Sequence, residues 1–117
     1  MAGPWEAERL LAEVQERVRF GIDDCAGGRI PMQATLDDGD ILVTFQWPGE
    51  AGQLGMRFEP SEAPIGPSTG DVCDSPTEWA TEVGWVLMEE LQTGLVRRGR
   101  RSVTARGVIE LRHRPGP

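Results

Sequence analysis

Nucleophilic catalysis in this chain would need Cys25 or Cys73 paired with His113, its only histidine. Cys25 stands beside Asp23 and Asp24, and Cys73 lies within the acidic stretch Asp71–Asp74. Neighbouring carboxylates raise a thiol pKa and keep it protonated, the opposite of activation. His113 sits among arginines near the C-terminal end, where a solvated surface role is expected. No catalytic residue is therefore expected, and the chain is not read as an enzyme.

Metal binding needs Cys, His and carboxylates at ligand spacing. Two distant cysteines and one histidine give neither a CxxC nor an HxxxH. Asp37, Asp38 and Asp40 surround Gly39 but lack the later ligands of a calcium loop, and Asp and Gly are what a tight turn needs. Gly49, Gly52 and Gly55 miss the spacing of a nucleotide fingerprint, and no GK[ST] follows. Neither a metal site nor a cofactor is expected. Glu78, Glu82 and Glu89 share one face of a predicted helix, which reads as a solvated face rather than an acid/base pair.

Charge and aromatic placement point instead toward a binding surface. The net charge of −7 is uneven. Residues 1–96 hold five Arg against eighteen Asp and Glu, or −13, whereas residues 97–117 hold seven Arg against Glu110 alone, or +6. Opposite halves can pair within a fold; a basic strip can also meet an anionic partner. Arg97, Arg98, Arg100 and Arg101 form the most nucleic-acid-like run, and Arg106, Arg112 and Arg114 could extend it. Arg97 and Arg98 also fall where a helix C-terminus favours positive charge. Trp85 stands out for another reason. In the second helix Trp79, Val83, Val86, Leu87, Leu91 and Leu95 define an apolar arc, and Trp85 points away from it, between Glu78, Thr81, Glu82, Glu89 and Gln92. Such a tryptophan is expected to be covered, either by the Pro-rich linker before the helix or by a partner.

The elements that must position these residues follow from periodicity. Residues 5–22 read as a helix, with Ala7, Leu10, Leu11, Val14, Val18 and Ile22 in one apolar stripe and Glu6, Glu8 and Glu13 crowding the start. Residues 30–58 read as a three-stranded meander. The first strand runs from about Ile30 to Leu36, with Met32, Ala34 and Leu36 on one side. A turn at Asp37-Asp38-Gly39-Asp40 leads to a second strand, in which Ile41, Val43, Phe45 and Trp47 alternate with Leu42, Thr44 and Gln46. The third sets Leu54, Met56 and Phe58 against Gly55, Arg57 and Glu59.

Residues 59–74, with Pro60, Pro64 and Pro67, form a linker too long to be idle, which Ile65 could pin to the surface. Ser75 as N-cap, Pro76 and Glu78 give a strong start to a second helix over 75–98, stopped by Gly99. Residues 102–113 alternate at period two and read as one terminal strand, a hairpin turning at Arg106-Gly107 being the alternative. The expected fold is a single α+β domain over 1–117 in the order αβββαβ: an antiparallel four-stranded sheet with two helices packed on one face.

The order αβββα resembles that of the double-stranded-RNA-binding domain in element order alone. Members of that family place a basic cluster at the start of the second helix, where this chain has Glu78 and Glu82. Acidic charge, size and element order also resemble bacterial secretion-type chaperones. The absence of Lys, Asn and Tyr reads as codon choice in a GC-rich genome. The longest apolar run, Trp85 to Met88, is far short of a membrane span, and the N-terminus carries no signal-peptide pattern. Two cysteines do not demand a disulfide, so reduced thiols in a cytoplasm are expected. The function expected is a small intracellular protein-interaction module, regulatory, adaptor or chaperone-like. Its candidate residues are Trp85, Glu82, Glu89, Arg97, Arg98, Arg100 and Arg101, and its expected partner is a second copy (a homodimer) or another protein. The alternative is a nucleic-acid-binding accessory protein using the arginine strip.

Overall fold

The apolar stripe near the N-terminus forms helix α1 (Ala7–Val18), shorter at both ends than the periodicity predicts. Glu6 is extended (φ −66°, ψ 145°), and its carbonyl accepts from the N–H groups of Arg9 and Leu10, both at 3.1 Å. At the other end the chain leaves through Gly21, at φ 79°. Ile22 therefore belongs not to the helix but to a short strand β1 (Ile22–Asp23), paired antiparallel with β2 (Arg29–Ile30). It is buried all the same, opposite Ile30. The computed structural model describes residues 4–23, 28–46, 52–93, 101–103 and 107–111.

Pro31 separates β2 from the strand expected to include Ile30. Strands β3 (Met32–Asp37) and β4 (Asp40–Phe45) then form a tight hairpin, whose turn residues Asp38 and Gly39 both have positive φ, 53° and 85°. Strand β5 (Leu54–Phe58) pairs antiparallel with β4. The register places Met32, Ala34, Leu36, Ile41, Val43, Phe45, Leu54, Met56 and Phe58 on one face, as the alternation requires. Trp47 lies outside the described residues.

The second helix, α2, spans Pro76–Thr93, and its start is the predicted capping box. The Glu78 N–H donates to Ser75 Oγ at 3.2 Å, and Glu78 Oε2 accepts from the N–H of Asp74 at 2.7 Å. Thus the carboxylate reaches one residue beyond the N-cap but performs the same task, satisfying a donor outside the helix. The predicted continuation to residue 98 lies outside the described residues.

The C-terminal segment corrects the expected sheet. Residues 102–113 are not one strand: β6 (Arg101–Val103) and β7 (Ile109–Leu111) form an antiparallel pair, Val103 opposite Ile109. Gly107, at φ 76°, lies outside the extended region, so a straight strand cannot pass through it. Moreover β7 runs parallel to β5, with Gly55 opposite Glu110. The sheet is therefore mixed and five-stranded, in the order β3-β4-β5-β7-β6, with β1 and β2 as a separate ribbon, rather than four-stranded and antiparallel. The overall class is α+β.

One buried cluster unites the apolar sheet face with Leu10, Val14 and Val18 of α1 and Trp79, Ala80, Val83, Val86, Leu87 and Leu91 of α2. On the opposite face Leu42 and Val108 are also buried. They close over Gly55, where a Cβ would lie 3.0 Å from Val108 Cγ1 and 3.1 Å from Leu42 Cδ1. Among the described residues no helix is long and apolar enough to cross a membrane.

Candidate functional site

The segment between β5 and α2 is not a featureless linker. A single 3-10 turn (Pro60–Glu62) leads into a small hairpin, in which Ile65 and Val72 form an antiparallel bridge. The bonds flanking the bridge run from the Cys73 N–H to the Pro64 carbonyl and from the Gly66 N–H to the Asp71 carbonyl, each 2.8 Å. Ile65 and Val72 are thus a non-hydrogen-bonded pair, the kind whose side chains stand closest on one face. Both are exposed, at 44% and 67%. The tip closes through the Gly70 N–H to the Gly66 carbonyl (3.0 Å) and the Asp71 N–H to Thr69 Oγ1 (3.1 Å).

Two side chains of α2 hold this hairpin. The indole N–H of Trp79 donates to the Ile65 carbonyl at 3.1 Å. It is this backbone carbonyl, not the Ile65 side chain, that anchors the segment. The second is Glu82, read from the sequence as part of a solvated face; it is buried, with 7% exposure. Its carboxylate accepts from the N–H groups of Ser68 (3.2 Å) and Thr69 (2.8 Å), from the Thr69 hydroxyl (2.9 Å) and from the Cys73 thiol (3.4 Å). Gly66 lies against the same carboxylate, so closely that any Cβ there would overlap it. Burial pushes the Glu82 pKa up, but the hydrogen bonds from Thr69, Cys73 and Ser68 outweigh that effect and hold it below the usual carboxylate range.

In this arrangement Glu82 is the acceptor that ties the hairpin to α2. Burial and then the hydrogen bond and charge of Glu82 push the Cys73 thiol up to about 11, so it is protonated at neutral pH. Cys25 and His113 lie outside the described residues. Among the described residues no group of three or more His, Cys, Asp or Glu could hold a metal ion. A groove of about 290 Å³ beside the free edge of β3 is lined by Gln15, Val18, Met32, Gln33, Ala34 and Thr35, none of them ionisable. Gln15 Nε2 donates there to the Ala34 carbonyl at 3.1 Å.

A second polar cluster, on the sheet face away from the helices, centres on Arg57. Its Nε donates to Glu110 at 3.1 and 3.2 Å, its Nη2 to Asp37 Oδ2 at 2.8 Å, and its Nη1 to the Asp37 carbonyl at 2.9 Å and Asp40 Oδ2 at 3.3 Å. The guanidinium pKa is raised, chiefly by the Asp37 hydrogen bond, against the lowering effect of burial. One cation ties the β3–β4 turn to β7. The aspartates expected as turn residues do form the turn, and two of them also carry this cluster.

Of the interaction residues singled out from sequence, Trp85, Glu82, Glu89 and Arg101 fall within the described residues. Trp85 is exposed, at 43%, and Glu89 is exposed one turn further along α2, whereas Glu82 is buried under the hairpin. The 59–74 segment packs on α2 without enclosing Trp85. Arg97, Arg98 and Arg100 lie outside the described residues, and Arg101 opens β6. What sequence reasoning missed is the paired exposure of Ile65 and Val72 and the Arg57 cluster. The acidity of the stretch around them is legible, since residues 58–96 contain eight carboxylates and no Arg, Lys or His. No family model, curated protein or solved structure matches the chain.

Proposed function

We propose that this chain is a non-catalytic protein-interaction module, regulatory, adaptor or chaperone-like, whose outward α2 surface is its contact face. The observation that carries this reading is Trp85. Its helix already buries a full apolar arc, Trp79 to Leu91, against α1 and the sheet, yet Trp85 remains 43% exposed. A large aromatic in that position adds nothing to the core and suits an interface anchor. Cys73 fits this reading as a structural thiol, because burial and Glu82 push it up to about 11 and keep it protonated at neutral pH.

A second copy is the simplest partner, since a two-fold contact uses one patch twice. Sizing with light scattering, run beside elution from heparin, tests the reading. A dimer that Trp85→Ala converts to monomer with its circular dichroism unchanged, and that heparin does not retain, supports the module. A monomer held on heparin at physiological salt, released by changing Arg100 and Arg101, overturns it in favour of nucleic-acid binding.

A further inference from the structure

We propose that the Ile65–Val72 hairpin is a docking site for a cationic, partly apolar polypeptide segment of another protein. The proposal rests on the interaction-module reading and names the chemistry of the partner. Its basis is the pairing of two facts at one place. Ile65 and Val72 form a close cross-strand pair, and both side chains face solvent, at 44% and 67%. In the segment that carries them and the first turn of α2, Glu59, Glu62, Asp71, Asp74 and Glu78 are all exposed. Among the described residues none of these five meets a basic side chain. The nearest cation in sequence, Arg57, is already engaged by Asp37, Asp40 and Glu110 on the other side of the sheet.

Crowding of negative charge is visible at Glu62, whose carboxyl is held above its usual range by partial burial and then by Glu59 and Asp40. The hairpin is also a firm platform. Trp79 and Glu82 fix its backbone from below, so the apolar pair is presented without an ordering cost on binding. A second copy of the chain is a poor occupant for this patch, because a two-fold contact would set one acidic hairpin against another. Arginine or lysine interleaved with aliphatic residues matches both features: the cations meet the rim and the aliphatic groups cover the pair.

The test uses the full chain and two synthetic probes, a dodecapeptide alternating arginine and leucine and a dodeca-arginine of the same length. Binding is followed by isothermal titration at about 50 mM and about 500 mM salt. The alternating peptide should bind about tenfold more tightly than dodeca-arginine. The double variant Ile65→Ser/Val72→Ser should lose about tenfold for the alternating peptide alone. Asp71→Asn/Asp74→Asn should weaken both probes and flatten the salt dependence. Glu8→Gln/Asp38→Asn removes the same charge from exposed sites elsewhere and should change neither. All these positions are exposed, and circular dichroism checks that each variant folds.

Equal binding of the two probes, or indifference to the Ile65/Val72 variant, overturns the proposal and leaves only diffuse attraction. Self-association abolished by that variant, with neither probe bound, assigns the hairpin to a second copy. That result overturns the partner class while the interaction-module reading stands. Retention on heparin with neither probe bound overturns both.

Discussion

Glu110 and Glu82 have similar exposure, 9% and 7%, and are held in opposite ways. Glu110 lies on the sheet face away from the helices and meets a guanidinium; Arg57 answers it together with Asp37 and Asp40. Glu82 lies on α2 and, among the described residues, meets only neutral donors, two backbone N–H groups, a hydroxyl and a thiol. Both carboxylates are satisfied as acceptors. Only the first is compensated in charge. Hydrogen bonds can therefore bury a carboxylate while its charge persists, here within a stretch, 58–96, whose sequence holds eight Asp and Glu and no Arg, Lys or His. The contrast separates a carboxylate held by a cation from one held by neutral donors.

The comparison breaks most sharply at Arg57. Arg57→Met preserves the aliphatic stem but leaves three carboxylates facing one another around a half-buried site. Removing one partner of such a cluster costs about 3 kcal/mol, read from the urea midpoint at constant slope. Arg57→Lys should recover only part, because an ammonium cannot bond Glu110, Asp37 and Asp40 through a planar fork. A loss below about 1 kcal/mol would mean that solvent screens the cluster and that β7 is held by pairing alone.

Glu82→Gln is the matching test on the other side. The amide keeps the shape and can leave its oxygen on the N–H groups of Ser68 and Thr69, but it loses the charge that strengthens those bonds and sets its NH2 against the Thr69 hydroxyl and the Cys73 thiol, which costs about 2 kcal/mol. Its pH signature has a definite sign. The folded pKa of Glu82 lies below the unfolded value, so its contribution is complete above the unfolded pKa and is lost as pH falls through the folded one. Wild-type stability should thus fall on acidification below about pH 4.3 more steeply than that of Glu82→Gln. Identical pH slopes for the two proteins would remove Glu82 from the acid response.

Much of the framework is legible in the residues themselves. Alternation identifies the buried faces of β3, β4 and β5 because side chains leave a strand at period two. Ser75, Pro76 and Glu78 mark the start of α2 because orphan N–H groups demand acceptors there. The terminal segment is different. Val103 and Ile109 have equal parity in a straight strand and are register partners in the observed hairpin, so alternation cannot distinguish the two. The parallel pairing of β7 with β5 is a long-range choice that no local pattern encodes. Glu82 stayed hidden because it falls in the polar arc of its helix, while its donors belong to a segment without periodicity. Ile65 reads as a residue that could pin the linker to the surface, and only the bridge to Val72 reveals it as half of an exposed pair.

The helix start offers a smaller version of the contrast. Ser75 Oγ is a neutral acceptor for the Glu78 N–H, at 3.2 Å. Ser75→Ala removes it and should cost about 1 kcal/mol, seen as a lower urea midpoint. An unchanged midpoint would show that water replaces the hydroxyl at no cost.

Glu78→Gln carries the comparison to its weakest case. Like Glu82, Glu78 accepts a backbone N–H, here that of Asp74 at 2.7 Å, but it does so in solvent. Water competes for both partners, so the bond itself contributes little, and the remaining effect is the charge near the helix N-terminus. The expected loss is about 0.5 kcal/mol, decreasing with added salt. If burial sets the cost of removing a carboxylate held by neutral donors, Glu82→Gln must exceed Glu78→Gln severalfold, and only the latter should respond to salt. Equal losses would instead place the energy in the helix dipole. The hairpin would then be docked by Trp79 and the Ile65 carbonyl rather than by Glu82.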